Sequence, residues 1–463
     1  MAFLTQTMLG TLHMNPADSP LSLSSTAPEW RATFTTVNQA ALQDTGTARA
    51  SAIVDVATDF YNNVYSLGSA SFGSNGFATI TKQDSEGAVE WQKFYTINGT
   101  PSYITVDSLN STIWVLFRTI FQGKFTASIL AKLDMAGEIV ALYQIALSGL
   151  LYNPAGMTLD ATGNVCIYGT FANNAVVGYT ETNSTFIIKV SRFGNLISKL
   201  TYDKVLLGAI KSLVIDSDGN MYLVGPGTLI AKLGPNGNVI WQTSYNDTFA
   251  AMVVNQTVSK IIVDAEGNSY LTVNAGGTVL MKFSPQGALI WSRQFGDTGA
   301  VSLAFDDEGN ILTHGTIRLT SGTVVLTGQS VTSFTPAGKF NWKKNISYTN
   351  RTLNFAKLEF STDGAMLLPG LFGGNQIGVS VAPQVGLLAK MKFKESLATT
   401  YGDSTEFRII NGPFAAVKHT PKFTGSVKIV LEPANLNRTF TVTPISLANP
   451  SSSTEISYAV TLV

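Results

Sequence analysis

Charge is what this chain is short of. Only 13% of its residues are Asp, Glu, Lys or Arg, about half the usual ~25% of a soluble domain. The two signs cancel to a net charge of zero. Nucleic acid or an anionic membrane would call for a basic excess, so neither is expected as a partner. The surface must be built largely from Thr, Ser, Asn, Gln and Gly. Such a surface guards poorly against association and suits a chain packed into a homo-oligomer or a larger assembly. Cysteine is nearly absent too. Cys166 stands alone, which excludes an intramolecular disulfide. Within the apolar run NVCIYG it reads as a small buried hydrophobe.

Catalytic groupings are also missing. Three histidines, His13, His314 and His419, are scattered with no HxxxH or CxxC spacing, so no zinc or iron site is expected. No G-x-S-x-G, Walker loop or G-x-G-x-x-G occurs in a strand–helix context. The expectation is therefore a protein that is not an enzyme, with no catalytic residue, cofactor or metal. No run approaches the ~18 apolar residues of a membrane span. The start, MAFLTQTMLGTLHMNPADSP, has no basic region and breaks its apolar residues with Thr and Gln. It does not read as a signal peptide, and the chain reads as made in a cytoplasm.

What is present is a repeat. In residues 213–242 an apolar strand, a DSDGN turn and a second strand are followed by a Gly/Pro break. A third strand then ends in Lys232, and a PNGN turn leads to a fourth ending in Trp241. The first strand and turn recur seven times: IVDVATDFYNNVYSLG (53–68, with an enlarged turn), ITVDSLNSTIWVL (104–116), MTLDATGNVCIYG (157–169), 213–225, IIVDAEGNSYLTV (261–273), LAFDDEGNILTHG (303–315) and LEFSTDGAMLLPG (358–370). The turn aspartates are Asp107, Asp160, Asp216, Asp264 and Asp306. Asp can bond its own turn backbone and Gly can take positive φ, which a tight hairpin needs.

The second half repeats in step. A turn Gly follows five residues after Lys82, Lys132, Lys189, Lys232 and Lys282; in unit six Ser333 replaces the lysine. Four residues past that Gly stands Trp91, Trp241, Trp291 or Trp342, with Ala141 and Ser198 in units two and three. The period, from about forty residues to the mid fifties, is that of propeller blades. Each unit has two apolar faces and can bury them only against neighbours. The tryptophans are expected to wedge between blades, and the lysines to lie along the blade face with stem packed and head solvated.

Unit seven has Lys390, but Glu395 and Thr399 stand where Gly and Trp belong. The missing strand is offered by EWRATF at 29–34, with Trp30 in the Trp position. These residues are expected to complete the last blade and close the ring. The fold expected is thus all-β: an extended arm at 1–28, a seven-bladed β-propeller over 29–403, and a small C-terminal antiparallel β-domain or flap at 404–463. The tail domain rests on the strand-like runs EFRIIN, GSVKIVLEP, RTFTVTPI and ISYAVTLV.

DSDGN and DDEGN resemble pieces of calcium loops but lack the further ligands of a full one, so turn chemistry accounts for them. Eight Asn-x-Ser/Thr sequons occur, as a chain rich in these residues produces by chance, and glycosylation is not expected. The places that break symmetry are the insertions 116–127, 170–184, 316–330 and 370–385. Their Phe117, Phe121, Phe171, Tyr179, Phe372 and Asn375 are the candidate contacts with a protein or glycan surface.

The D-x-x-G-N-x-Y and K-x-x-x-x-G-x-x-x-W units resemble the bacterial β-propeller-repeat and quinoprotein-like propeller families over about 29–396. The acidic metal ligands and cofactor-stacking tryptophans of the quinoprotein enzymes have no counterpart here, because the tryptophans sit at the repeat position. The layout of arm, propeller and β-tail, with few charges, is similar to virion proteins of tailed phages. That resemblance implies a non-enzymatic structural or adhesion subunit of the tail or tail fibre, made in a host cytoplasm. Its partners would be other virion proteins and a host glycan. The alternatives are a bacterial surface or secreted propeller that binds glycan or protein, and a propeller lyase or quinoprotein enzyme.

Overall fold

The computed structural model describes residues 28–38, 51–72, 75–95, 97–121, 124–147, 150–173, 184–203, 210–225, 229–244, 257–274, 278–295, 300–321, 324–348, 353–355, 359–361, 365–372, 385–391, 401–402, 407–411, 432–433, 440–444 and 456–462. Every regular element among them is a β-strand. The chain is all-β and of the β-propeller class, with each blade a four-stranded antiparallel meander contiguous in sequence.

Six blades are complete. Blade one is Ser51–Thr58, Val64–Phe72, Asn75–Gln83 and Val89–Tyr95. Blade two is Thr100–Asp107, Thr112–Phe121, Lys124–Asp134 and Ile139–Leu147. Blade three is Leu150–Leu159, Val165–Asn173, Ser184–Val190 and Leu196–Asp203. Blade four is Ser212–Ile215, Met221–Gly225, Leu229–Leu233 and Val239–Ser244. Blade five is Thr257–Val263, Ser269–Asn274, Thr278–Phe283 and Leu289–Phe295. Blade six is Ala300–Phe305, Ile311–Ser321, Val324–Phe334 and Phe340–Tyr348.

Among the described residues the expected seven blades are thus six. Around the seventh repeat the sheet is composite. Leu353–Phe355 and the two-residue Glu359–Phe360 pair with Met366–Phe372, which pairs with Val385–Met391. Pro28–Asn38 lies against Val385–Met391 with Trp30 opposite Lys390. That is the backbone register of Trp91 opposite Lys82, Trp241 opposite Lys232 and Trp291 opposite Lys282.

The tail departs from expectation as well. Its described strands form no sheet of their own; each adds to the outer edge of a sheet built by earlier residues. Phe407–Asn411 pairs with Phe340–Tyr348, Glu432–Pro433 with Leu196–Asp203, Phe440–Pro444 with Ile139–Leu147, and Ile456–Leu462 with Pro28–Asn38. A blade edge offers a ladder of free N–H and C=O groups, and an antiparallel strand satisfies it. The arm residues 1–27 lie outside the described residues.

Two compact units divide the chain. One comprises Met1–Ile104, Ala304–Phe414 and Asn449–Val463, and the other Thr105–Leu303 and Ala415–Ala448. Within the second, the period-two alternation of strands makes the blade core visible. Met221 and Leu223 of blade four pack with Tyr168, Ile187 and Tyr202 of blade three. Tyr222 and Val224, on the other face of the same strand, pack with Ile261, Leu271 and Phe283 of blade five. Each inner strand is buried on both faces, which is why these runs are apolar almost throughout.

Candidate interaction surface

In a four-stranded meander the first and third turns share one end of the blade. Here those are the D-x-x-G-N turn and the turn after the lysine. In blade three Asp160 Oδ1 accepts the N–H groups of Thr162 and Asn164 at 2.9 and 3.0 Å, and its Oδ2 accepts Asn164 Nδ2 at 3.0 Å. Asp216 repeats this with Asp218 and Asn220, and Asp306 with Glu308 and Asn310. These turns use the acceptor capacity of their own carboxylates, so DSDGN and DDEGN are capped hairpins in the structure. Burial would raise the Asp160 pKa, but the bonds from Asn164, Thr162 and Lys189 outweigh it and hold the carboxyl below its usual range. Among the described residues no group of three or more His, Cys, Asp or Glu could hold a metal ion.

Blade one corrects the expected enlarged turn. Its capping residue is Asp59, which accepts the N–H groups of Tyr61 and Asn63 at 2.9 and 3.0 Å. Asn62 takes the place of Gly at φ 63°, which Asn tolerates better than most residues. DFYNN is therefore an ordinary turn of the repeat. Asp55 sits inside the preceding strand beside a bulge, where its Oδ2 accepts the Ile104 N–H at 2.8 Å.

The repeated lysines are held rather than solvated. In blades one, two, four and five the lysine stands between an aromatic ring on the second strand and, where present, the Trp on the fourth. Lys232 Nζ lies 4.7 Å from the Tyr222 ring centroid, Lys282 5.0 Å from Tyr270, Lys132 5.4 Å from Trp114 and Lys82 5.7 Å from Tyr65. The flanking rings meet edge-on: Tyr65 with Trp91, Tyr222 with Trp241 and Tyr270 with Trp291. Blade three has Cys166 where blades one, two, four and five have an aromatic, and its Lys189 pairs with Asp160 instead, at 3.0 Å. Cys166 is buried, and that burial pushes its thiol pKa up to about 12 against the opposing pull of Lys189.

The fourth strand locks onto the next blade's third turn. Tyr143 Oη donates to the Phe193 carbonyl at 3.2 Å, Tyr202 Oη to Gly237 at 2.8 Å and Trp241 Nε1 to Pro285 at 2.8 Å. Lysine does the same in two places: Lys132 Nζ donates to the Arg192 carbonyl at 2.8 Å and the buried Lys390 to Ser85 at 3.0 Å. Trp241 therefore wedges between blades. Trp91, Trp291 and Trp342 hold the same backbone register. The side chain of Trp30 lies outside the described residues.

The expected contact residues in the insertions fare less well. Phe117 and Phe171 are buried. The insertions that hold them continue the strand pairing, with Phe117 opposite Ile129 and Phe171 opposite Tyr152. Alternate side chains of a lengthened hairpin return to the core, and these two do so. The side chains of Phe121 and Phe372, and all of Tyr179 and Asn375, lie outside the described residues.

The opposite end of the blades is where large apolar side chains stand in solvent. At the turn tips Phe60 is 61% exposed, Tyr61 81%, Leu109 73% and Phe193 67%. In the other D-x-x-G-N turns these tip positions hold Ala161 and Thr162, Ser217 and Asp218, Ala265 and Glu266, and Asp307 and Glu308. The signal lay in the sequence as a break in polarity at two repeat positions, in turns whose spacing otherwise matches. Leu109 and Phe193 share a neighbourhood. Arg192, next to Phe193, donates from Nη1 to Asn110 Oδ1 at 2.8 Å, and its guanidinium lies 4.9 Å from the Phe193 ring centroid.

No family model matches the chain, and no curated protein sequence matches it. Solved structures do. A protein from Lactobacillus plantarum aligns over 67% of this chain and 94% of its own, at 13% identity and a TM-score of 0.43. Chaetomium thermophilum Sqt1 aligns over 74% and 96%, at 10% identity and 0.43. The C-terminal WD40 domain of Sif2 aligns over 75% and 97%, at 9% identity and 0.43.

Proposed function

We propose that the protein is a non-enzymatic binding platform whose repeat scaffold presents a few symmetry-breaking side chains to a protein partner. The observation that carries this is the exposure of single turn-tip residues: Phe60 and Tyr61 on blade one, Leu109 on blade two and Phe193 on blade three. Single exposed hydrophobes need no explanation. These occupy tips that other blades fill with small or polar residues, and tight turns hold them rigidly. Rigid aromatic and aliphatic tips are what a protein interface uses as anchors.

The finer placement is a subunit of a larger assembly, and a tailed-phage virion is the assembly that the low charge and the β-tail favour. The strand Pro28–Asn38 supports the proposed completion of the last blade, because Trp30 opposite Lys390 repeats the Trp–Lys register of the regular blades. The test is association. Wild-type protein and the variants F60S/Y61S and L109S/F193S are compared for co-sedimentation with particles purified from the source, with thermal melts as the control for folding. Both variants should lose association while melting within a few degrees of wild type. A wild-type chain that stays a monodisperse monomer and never sediments with particles sinks the assembly reading. Variants that associate as wild type does sink the role of the tips.

A further inference from the structure

We propose that the paired turns 107–111 and 191–195 form a docking site for an extended segment of a protein partner. That segment carries a carboxylate beside an aliphatic side chain. This rests on the reading of the chain as a binding platform and names the chemistry of what one part of it takes.

Arg192 is the centre of the site. Its guanidinium lies over the Phe193 ring and gives one N–H to Asn110 Oδ1. Asn110 is itself fixed, since its Nδ2 donates to Asp107 Oδ2 at 2.7 Å and its N–H to Asp107 Oδ1 at 3.1 Å. The main chain under Arg192 is fixed too. Its carbonyl accepts Lys132 Nζ, the Phe193 carbonyl accepts Tyr143 Oη, and the Phe193 N–H donates to Ser191 Oγ at 3.2 Å. A guanidinium has five N–H donors, and among the described residues no carboxylate pairs with this one. Asp107, one turn away, is buried with both oxygens bonded to Asn110. The result is an exposed fork, stacked on an aromatic ring and held before any partner arrives. That is the geometry that takes a carboxylate with two parallel hydrogen bonds.

Leu109, next in sequence to Asn110, and Phe193, next to Arg192, both stand in solvent. A residue chain that places a carboxylate on Arg192 also brings its neighbours over these two, and aliphatic side chains there remove apolar surface from water. Phosphate recognition draws on clusters of arginine, and one arginine in a chain of zero net charge fits the weaker, single-carboxylate ligand. Because little conformational freedom remains to be lost at the turns, even a short peptide pays a small ordering cost on the protein side.

The experiment uses the full chain and a displayed library of random heptapeptides, selected on wild type and then screened against R192Q and against L109S/F193S. All three positions are exposed, and thermal melts verify folding. The expected clones bind wild type, fail on both variants, and carry Asp or Glu next to Leu, Ile or Val. A synthetic peptide from such a clone should lose about fivefold or more in affinity, by fluorescence anisotropy, with R192Q or with its own Asp changed to Asn. R192K, which keeps the charge without the fork, should fall between. Clones that bind wild type and both variants equally overturn the site but leave the platform reading standing. Clones that need Leu109 and Phe193 yet carry no acid overturn the carboxylate. If nothing binds wild type above background, the site and the platform reading fail together.

Discussion

The indole N–H of Trp241 donates to the Pro285 carbonyl at 2.8 Å, and the same ring lies where a Cβ on Gly287 would sit, 2.7 Å from Trp241 Cδ2. One residue at the end of a blade and one glycine in the next blade's turn are therefore a single packing unit. Gly287 also has φ 83°, so an L side chain there meets backbone strain as well as the ring.

Gly287→Ala should cost about 1–2 kcal/mol for the left-handed backbone alone, and more for displacing the ring. Trp241→Phe keeps most of the ring and loses the indole bond, for about 1 kcal/mol. The informative variant is the double W241A/G287A. Removing the ring removes the clash, so the double should be less destabilised than the sum of the singles. Urea midpoints of wild type, W241A, G287A and the double measure this, and strict additivity would show that the ring and the glycine do not act together.

The capping aspartates should differ in a way the structure specifies. Asp216 serves its own turn and Lys232, whereas Asp264 also accepts the hydroxyl of the buried Tyr270 at 3.0 Å. Asp216→Ala should cost about 1 kcal/mol, and Asp264→Ala about 2–3 kcal/mol, because it also removes the carboxylate that a buried hydroxyl donates to. Millimolar calcium should leave the wild-type melting temperature unchanged, since the turns already use these carboxylates. Equal costs for the two variants would deny the tyrosine its part, and a calcium-dependent rise would reopen the ion reading.

Local chemistry explains which parts of the fold could be read from the chain. D-x-x-G-N and K-x-x-x-x-G-x-x-x-W are spacings within one hairpin, so turn geometry and cross-strand register write them directly into the residues. Blade one hid its turn because Asn62 stands where a glycine is expected, so the turn read as enlarged. The insertions looked like binding loops because Phe117 and Phe171 break the repeat, yet lengthened strands return alternate residues to the core. The tail was least legible. Phe440–Pro444 pairs with Ile139–Leu147 across roughly three hundred residues of chain, and no local pattern states which blade edge a strand will join. The exposed tips of Leu109 and Phe193 were visible only as a change of polarity inside turns that otherwise matched.

The composite sheet makes a prediction about truncation. Pro28–Asn38 contributes Trp30 to Phe34 opposite Lys390 to Gly386, and Lys390, 1% exposed, donates to Ser85 in the first blade. Deleting residues 1–36 removes most of that strand, while deleting 1–26 leaves it whole. The longer deletion should lower the melting temperature sharply and the shorter one little. Equal melting of the two truncations would mean that the strand contributes nothing to the last sheet.

The last prediction concerns pH. His314, on the second strand of blade six, is fully buried. Burial disfavours its charged form and lowers its pKa from 6.5 to about 4, a shift that Gln329 opposes. Between those two values the unfolded chain binds a proton at this site and the folded chain does not. Stability must then fall as pH drops through that window, by about 1.4 kcal/mol per pH unit from this residue. His314→Gln removes the titration while keeping a polar side chain. Its urea midpoint should be less sensitive than wild type to a change from pH 7 to pH 5, even if the variant is the less stable protein at neutral pH. Parallel pH dependences would mean that His314 titrates alike in both states and that its burial does not govern the acid stability of blade six.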